Sequence, residues 1–337
     1  MRFGLIGGGR WAQVHRDALA TAGAELAAVL VSSDASAERV RSGWGVHSFT
    51  DLAEFLDREF DAVIVASPNY LHAQHALAVL RSGRHVLIEK PMALTVEDCD
   101  RIVEAAAAAE RVAAVGLEMR FFQLFQGVKQ LLADGAIGAP LHLRLDLWRR
   151  PYRAGSGGWK SDPSKVGSTV LEEPIHYLDL ARWYLAPMTG GPRALTAWAT
   201  ERPEGGAAWE NLDVRLDFGA AQALVTRSIA AWGHQVRLQL VGTAGALEAS
   251  WQGEMDLDPH PEQSLLLKRG HAPEAEVVRV PVPPSGHAFD VPKQTAAFMA
   301  AVRGEASELA SAEDGRASVA LSLAVEEALR SGAAVRL

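Results

Sequence analysis

The sequence predicts an α/β fold in two parts: a doubly wound parallel sheet, then an α+β domain built on a large, open, mainly antiparallel sheet. Three observations carry that reading. Over the first 120 residues, short runs that are apolar throughout alternate with helical patterns, as strands buried on both faces of a parallel sheet do. The first run ends in a glycine-rich turn, GLIGGGRWA, at residues 4–12. From about residue 140, apolar and polar residues alternate at period two, the mark of antiparallel strands with one face covered.

In order, RFGLI (2–6) and ELAAVLV (25–31) read as the first two strands. Trp11, His15, Ala18 and Ala22 recur between them at helical spacing, and Gly23 stops that helix. DAVIVAS (61–67) is a third strand, and HAQHALAVLRSG (72–83) is a helix with Ala73, Ala76, Leu77 and Leu80 on one face. HVLIE (85–89) is the fourth strand. Thr95 with Asp98 reads as a capping box that opens a helix to about Ala109, and VAAVG (112–116) is the fifth strand. In the second half, LHLRLDLW, RALTAWATE, ENLDVRLDF, ALVTRSIAA, QVRLQLVG and ALEASW alternate as antiparallel strands, leaving a mostly apolar face available for association. Pro174 suits the first position of a helix over PIHYLDLARWYL (174–185). There Ile175, Leu178, Arg182 and Leu185 form one stripe, with His176, Asp179 and Trp183 on another face.

Bulk composition narrows the function. A chain of 337 residues is too long for one ordinary core, so two domains are expected, 1–120 and 121–337, with the terminal helix free to pack back on the first. Its 33 basic and 41 acidic residues, net −8, give no general basic surface for nucleic acid. The single Cys99 excludes an internal disulfide or a multi-cysteine metal site and fits a reducing compartment. No signal peptide is visible, and the alanine run 105–109 is too short to span a bilayer. A cytoplasmic protein with no membrane partner is expected.

Sheets of this kind bind ligands outside the carboxyl ends of their strands, so the residues just past each strand matter most. Gly7 permits a tight turn, Gly9 lets a pyrophosphate approach the backbone, and Ala12 lets helix pack on strand. The helix that follows offers N–H donors and a partial positive charge. Gly7, Gly9, Arg10, Trp11 and Ala12 are therefore candidates for holding a dinucleotide, which makes the first domain a Rossmann domain. Past the second strand, Asp34 stands where a carboxylate accepts from an adenosine ribose. No Arg lies beside it, and Arg39 is already in the next helix, which favours NAD over NADP. The alternative is that Asp34, Ser33 or Ser36 merely caps that helix. Ser67, Asn69 and His72 follow the third strand at the same edge, and His72 could simply face solvent at a helix start. HVLIEKPMAL (85–94) ends a core strand on Glu89, Lys90 and Pro91, although a mere turn could use Asn, Asp or Gly. A solvated Lys on a capped strand is the bland alternative. The Lys90–Pro91 bond is a candidate cis peptide.

The glycine turn, SPNYLH (67–72) and EKP (89–91) occur here in that order, and with them the chain resembles the glucose–fructose oxidoreductase / inositol dehydrogenase / MocA family of pyridine-nucleotide dehydrogenases. Segments 120–147, 158–185, 238–249 and 298–335 resemble the family's second half, so the likeness covers nearly the whole chain. The resemblance implies an NAD(P)-dependent dehydrogenase acting on CH–OH groups. Hydride would pass between the nicotinamide and a secondary alcohol or ketone of a sugar, sugar derivative or cyclitol. Lys90 matches the family's active-site lysine, against substrate and nicotinamide, and Glu89 would orient that turn. His176, three residues before Asp179, matches its catalytic histidine. Early in a helix, the dipole disfavours imidazolium and suits a general base. Arg120, Tyr152, Trp159, Lys160, Glu172, His176 and Asp179 are pocket candidates by position. The family's association through its second-domain sheet implies a homodimer or homotetramer.

Inositol dehydrogenase-like relatives carry Asp four residues before the histidine. Here that position is Glu172, one methylene longer, with Glu173 beside it. Glu172 is thus a candidate for setting which neighbouring hydroxyl is accepted, and plain myo-inositol is not the expected substrate. No His/Asp/Glu grouping suggests a metal. Two alternatives stand: a non-catalytic, nucleotide-sensing regulatory protein, against which the presence of Lys90 and His176 argues, and a reductase of an imine or conjugated substrate, for which His176 would be less necessary.

Overall fold

From strand β1 (Arg2–Ile6) the chain runs through α1 (Arg10–Thr21) to β2 (Glu25–Leu30), and through α2 (Asp34–Trp44) to β3 (His47–Phe49). Next come α3 (Leu52–Leu56), β4 (Ala62–Val65), α4 (His72–Arg81), β5 (His85–Glu89), α5 (Val96–Ala109) and β6 (Ala113–Gly116). The computed structural model describes residues 1–150, 162–201, 209–254 and 258–337. In it these strands form one parallel sheet in the order β3-β2-β1-β4-β5-β6. Every side chain of β4 is buried, as are Val86, Leu87 and Ile88 of β5, which is why these runs carry no polar alternation. Strand β3 escapes the apolar pattern because it is three residues long, His-Ser-Phe, at the sheet edge. The expected cap of α5 is present: Thr95 Oγ1 accepts from the Asp98 amide at 3.1 Å.

Farther along lie α6 (Gln123–Ala133), β7 (Pro140–Arg149), α7 (Pro163–Val166), α8 (Thr169–Glu172) and α9 (Pro174–Thr189). They are followed by β8 (Ala194–Glu201), β9 (Trp209–Asp217), β10 (Gln222–Ser228), β11 (His234–Gly242), β12 (Gly245–Gly253), β13 (Glu262–Arg269) and β14 (Val277–Arg279), then α10 (His287–Val302), α11 (Ala312–Ser331) and β15 (Val335–Arg336). The second sheet runs β14-β13-β12-β11-β7-β10-β9-β8-β15. Only β7 and β10 pair in parallel; its other pairs are antiparallel.

Two compact units result. The first holds residues 1–117, 156–167 and 291–320; the second holds 118–155, 168–290 and 321–337. In the second, Leu143, Leu145, Leu147, Leu238 and Leu240 pack in one core with Phe125 and Val128 of α6 and Leu178 and Leu185 of α9. Each such side chain stabilises its unit by about 1.5–3 kcal/mol. The opposite face departs from expectation. Instead of being mostly apolar, it exposes His142, Arg144, Arg237, Gln239 and Glu248, with Trp148, Trp198 and Val241 among its exposed apolar members. Strands covered on one side place polar residues at every second position on the other. Among the described residues, no helix is long and apolar enough to cross a membrane.

Candidate active site

In the first unit, the carboxyl ends of β1, β4 and β5 gather most of the expected cofactor residues. Gly7 takes φ +130°, and a Cβ there would run into the Ala66 carbonyl just past β4. Gly9 is the N-cap of α1; no side chain caps the helix, no acid lies in its first turn, and a Cβ on Gly9 would meet nothing within 4 Å. Backbone N–H donors beside open space form a cradle for an anion, so these residues fit a dinucleotide pyrophosphate. Arg10 is exposed there and Ala12 is fully buried. Ser33 caps α2, accepting from the Ser36 amide at 3.3 Å, which leaves Asp34 exposed for another use. The Arg39 guanidinium folds back along α2 to donate to Ser36 Oγ at 2.8 Å and to the Ala35 carbonyl at 3.2 Å. A cation therefore stands in the first turns of the helix that carries Asp34, which helix position alone does not convey.

Asn69 is buried and its Nδ2 donates to the Val166 carbonyl at 3.1 Å, while Ser67 Oγ contacts His75 Nδ1 at 2.9 Å. Burial pushes the His75 imidazole down to about 4. His72 is neither a solvent-facing histidine nor an open one. It is 1% exposed, with Nδ1 2.7 Å from the Pro91 carbonyl and Nε2 2.7 Å from the Ser67 carbonyl. Burial lowers its pKa against the pull of those two carbonyls, so the neutral ring donates to one of them at a time. His72 ties the turn after β4 to the turn after β5, and the latter carries Lys90.

Lys90 is half-buried, and its peptide bond to Pro91 is cis, as expected. Beneath it Glu89 is buried, with Oε1 2.6 Å from Nε2 of the fully buried His15. The Trp11 indole also favours the ionised form of this carboxylate. Glu89 Oε2 accepts from the Lys90 amide at 3.2 Å. Glu89 pairs in register with Gly116, where a Cβ would stand 2.9 Å from Oε1; glycine leaves room for the carboxylate. Burial pushes the Glu89 carboxyl up, but the His15 hydrogen bond and charge, Lys90 and Trp11 together hold it below the usual range. Trp11, placed with the pyrophosphate by sequence, thus also serves this buried pair. A cavity of about 560 Å³ lined by Phe60, Asp61, His85 and Arg111 lies at the amino ends of the strands, away from this chemistry.

In the second unit, the residues of α9 from Pro174 to Ala181 are all buried, His176 and Asp179 included. Asp179 accepts from Arg120 Nε at 2.7 Å and from Nη2 at 2.8 Å, a bidentate pair with both side chains buried. Arg120 and Asp179 are therefore brought together, each answering the other's charge. Glu173 is buried against Arg149, whereas Glu172 is half-buried at the end of α8. His176 Nε2 lies 3.6 Å from Glu118 Oε1, and His287 Nδ1 approaches the same oxygen at 3.2 Å. Sequence reasoning missed Glu118 and His287. The available signal was a lone acid between Leu117 and Met119 in a stretch otherwise reading as apolar. Tyr152, Trp159 and Lys160 lie outside the described residues. No group of three or more His, Cys, Asp or Glu suited to a metal occurs among the described residues.

A glycine-cradled Rossmann unit joined to a unit built on one large mixed sheet defines a dinucleotide-dependent oxidoreductase. The chain belongs to the glucose–fructose oxidoreductase / inositol dehydrogenase / MocA family: residues 1–117 match the oxidoreductase family's NAD-binding Rossmann fold, and residues 129–337 match its C-terminal alpha/beta domain. It is 28% identical over 345 residues to 1,5-anhydro-D-fructose reductase of Ensifer adhaerens, spanning 100% of this chain and 98% of that protein. It is 34% identical over 260 residues to inositol 2-dehydrogenase 2 of Saccharopolyspora erythraea, spanning 73% and 72%. In fold it resembles levoglucosan dehydrogenase in complex with NADH and levoglucosan, with TM-score 0.86, 20% identity and coverage of 100% and 99%.

Proposed function

We propose that the protein is an NAD-linked dehydrogenase that oxidises a secondary alcohol of a sugar, sugar derivative or cyclitol, or reduces the corresponding ketone. What supports this is a cradle for a dinucleotide at the same sheet edge as Lys90 in the first unit, and the buried His176 early in α9 of the second. The names of the relatives, a sugar reductase and an inositol dehydrogenase, support the substrate class. Gly7, Gly9 and α1 would hold the pyrophosphate and Asp34 the adenosine ribose. Bound NAD supplies the hydride acceptor. His176 accepts the hydroxyl proton; Lys90 donates a hydrogen bond to the same oxygen and stabilises its developing negative charge. Glu89, fixed by His15 and Trp11, holds the turn on which Lys90 sits. The protein works in the cytoplasm: Cys99 is its only cysteine, buried, with its thiol pushed up to about 12 by burial and by Asp100 and Asp98. Copies associate through the open face of the second sheet around Trp148 and Trp198, a reading that light scattering on Trp198→Arg would check.

The test is a screen of NAD- and NADP-linked oxidation over sugars, sugar acids, amino sugars and inositols, repeated with His176→Ala. Loss of most of the rate in His176→Ala supports alcohol oxidation. A variant that keeps its rate points to an imine or conjugated substrate.

A further inference from the structure

We propose that Glu118 is a positioning residue for His176, stabilising through its charge the imidazolium formed when His176 takes the substrate proton, and that His287 competes for the same carboxylate oxygen. This rests on reading His176 as the proton acceptor. Glu118 is 2% exposed, His176 4% and His287 8%. A carboxylate so buried requires a partner, and the two imidazoles approach one atom, Oε1, from α9 and α10. At 3.6 Å the His176 contact acts through charge rather than as a hydrogen bond. His287 is held in place by its neighbours. Its ring meets Phe122 edge-on, with centroids 4.9 Å apart and planes at 86°. Three residues on, Asp290 Oδ2 accepts from Ser285 Oγ at 2.9 Å, from the Gly286 amide at 3.0 Å and from the Gln123 amide at 3.3 Å. The Trp251 indole donates to the Ser285 carbonyl at 2.8 Å.

Among the described residues, other charged groups against α9 have partners of their own, and Lys129 of α6 donates to the Trp183 carbonyl. Arg120 is paired with Asp179, and Arg182 also approaches Asp179 at 3.5 Å. Arg149 of β7 is paired with Glu173, Arg227 of β10 donates to the Thr169 carbonyl at 3.4 Å, and Glu172 ends α8. Glu118 Oε1 faces the His176 ring. When the substrate O–H bond breaks and an N–H bond forms on His176, the new positive charge appears beside that carboxylate. The charge is stabilised most where water is excluded. Because His287 contacts the same oxygen, any proton on it weakens the hold on His176. Two imidazoles and one carboxylate then titrate as a unit.

The experiment is NMR titration of histidines labelled with ¹³C and ¹⁵N in the full chain, with kcat/KM against pH on an accepted substrate. Glu118→Gln should lower the His176 midpoint by about one unit or more and carry the acid limb of kcat/KM to lower pH with it, at a reduced plateau. Glu118→Asp should keep the midpoint near wild type. His287→Gln should move it upward, the opposite sign from Glu118→Gln, and serves as the test if the Glu118 variants fail to fold. An unmoved His176 midpoint in Glu118→Gln, or the same sign of shift in both variants, overturns the inference. Full turnover in His176→Ala would instead overturn the functional reading, and the titration distinguishes the two failures without needing activity.

Discussion

Replacing His15 by Leu removes the 2.6 Å contact to Glu89 and leaves a carboxylate that is 6% exposed without its principal partner. Breaking a buried pair by deleting one side costs about 3–5 kcal/mol, because the remaining charge stays buried. Here the Lys90 amide remains as a donor, and the Trp11 indole still favours the ionised carboxylate. Hydrogen bonds to a charged group contribute about 1.5–3 kcal/mol each, so the loss should fall near the lower end, about 3 kcal/mol for the first unit. The sign with pH follows from the carboxyl. In the wild type Glu89 is held below its unfolded value, so its contribution is present above the unfolded pKa and fades as pH falls through the folded one. In His15→Leu, burial dominates and the folded value rises, so the variant gains stability relative to wild type as the solution is acidified.

The assay is urea unfolding followed by hydrogen exchange in the first unit, which separates it from the second. Measured at about pH 7.5 and about pH 5.5, the deficit of His15→Leu should be larger at the higher value. The double variant His15→Leu/Glu89→Gln removes the buried charge and should be less destabilised than His15→Leu alone. A double variant at least as unstable as the single one, with no pH dependence in either, would refute the account of Glu89 as a buried ion held by its neighbours.

Lys90→Met should bind NAD close to wild type while oxidation falls by about 10²-fold or more, the scale of one lost electrostatic donor; unchanged turnover would make Lys90 a solvated strand-end residue. NAD should give the higher kcat/KM, and Asp34→Ala should narrow its lead over NADP, because Arg39 remains in the first turns of α2 to meet a 2′-phosphate. A wild type that prefers NADP would reverse the assignment. Glu172→Gln and Glu172→Asp, compared over one polyol panel, should re-order the substrates; a uniform drop would leave Glu172 structural.

How legible the fold was depended on how each residue is buried. Strands β4 and β5 are covered on both faces, so their sequences are unbroken apolar runs that announce themselves. Strands β7 to β12 of the second sheet keep one face in contact with the core, and their alternation is equally plain. By contrast, β3 and β14 are three residues each at a sheet edge, and β15 is two residues whose pairing depends on β8, distant in sequence. Nor does alternation say how apolar the uncovered face will be, and here it bears charges.

The site divides along the same physical line. Residues whose role is local were readable: Gly7 needs a positive φ, Thr95 needs a cap partner three residues on, and Lys90 ends a strand before a proline. Residues whose role is a long-range partnership were not. His15 reads as one more member of an apolar helical stripe until Glu89, 74 residues away, is placed against it. His72 reads as a helix start until the Ser67 and Pro91 carbonyls close on it. Glu118, His176 and His287 come from three separate stretches, and only folding brings two imidazoles to one carboxylate oxygen. Yet two of these partnerships leave a trace in the chain, an ionisable residue inside an apolar pattern: His15 in the stripe of α1, and Glu118 between Leu117 and Met119. A buried polar group costs folding free energy unless something satisfies it. A histidine or acid inside an apolar pattern is therefore a reason to search for its partner before reading it as an exception.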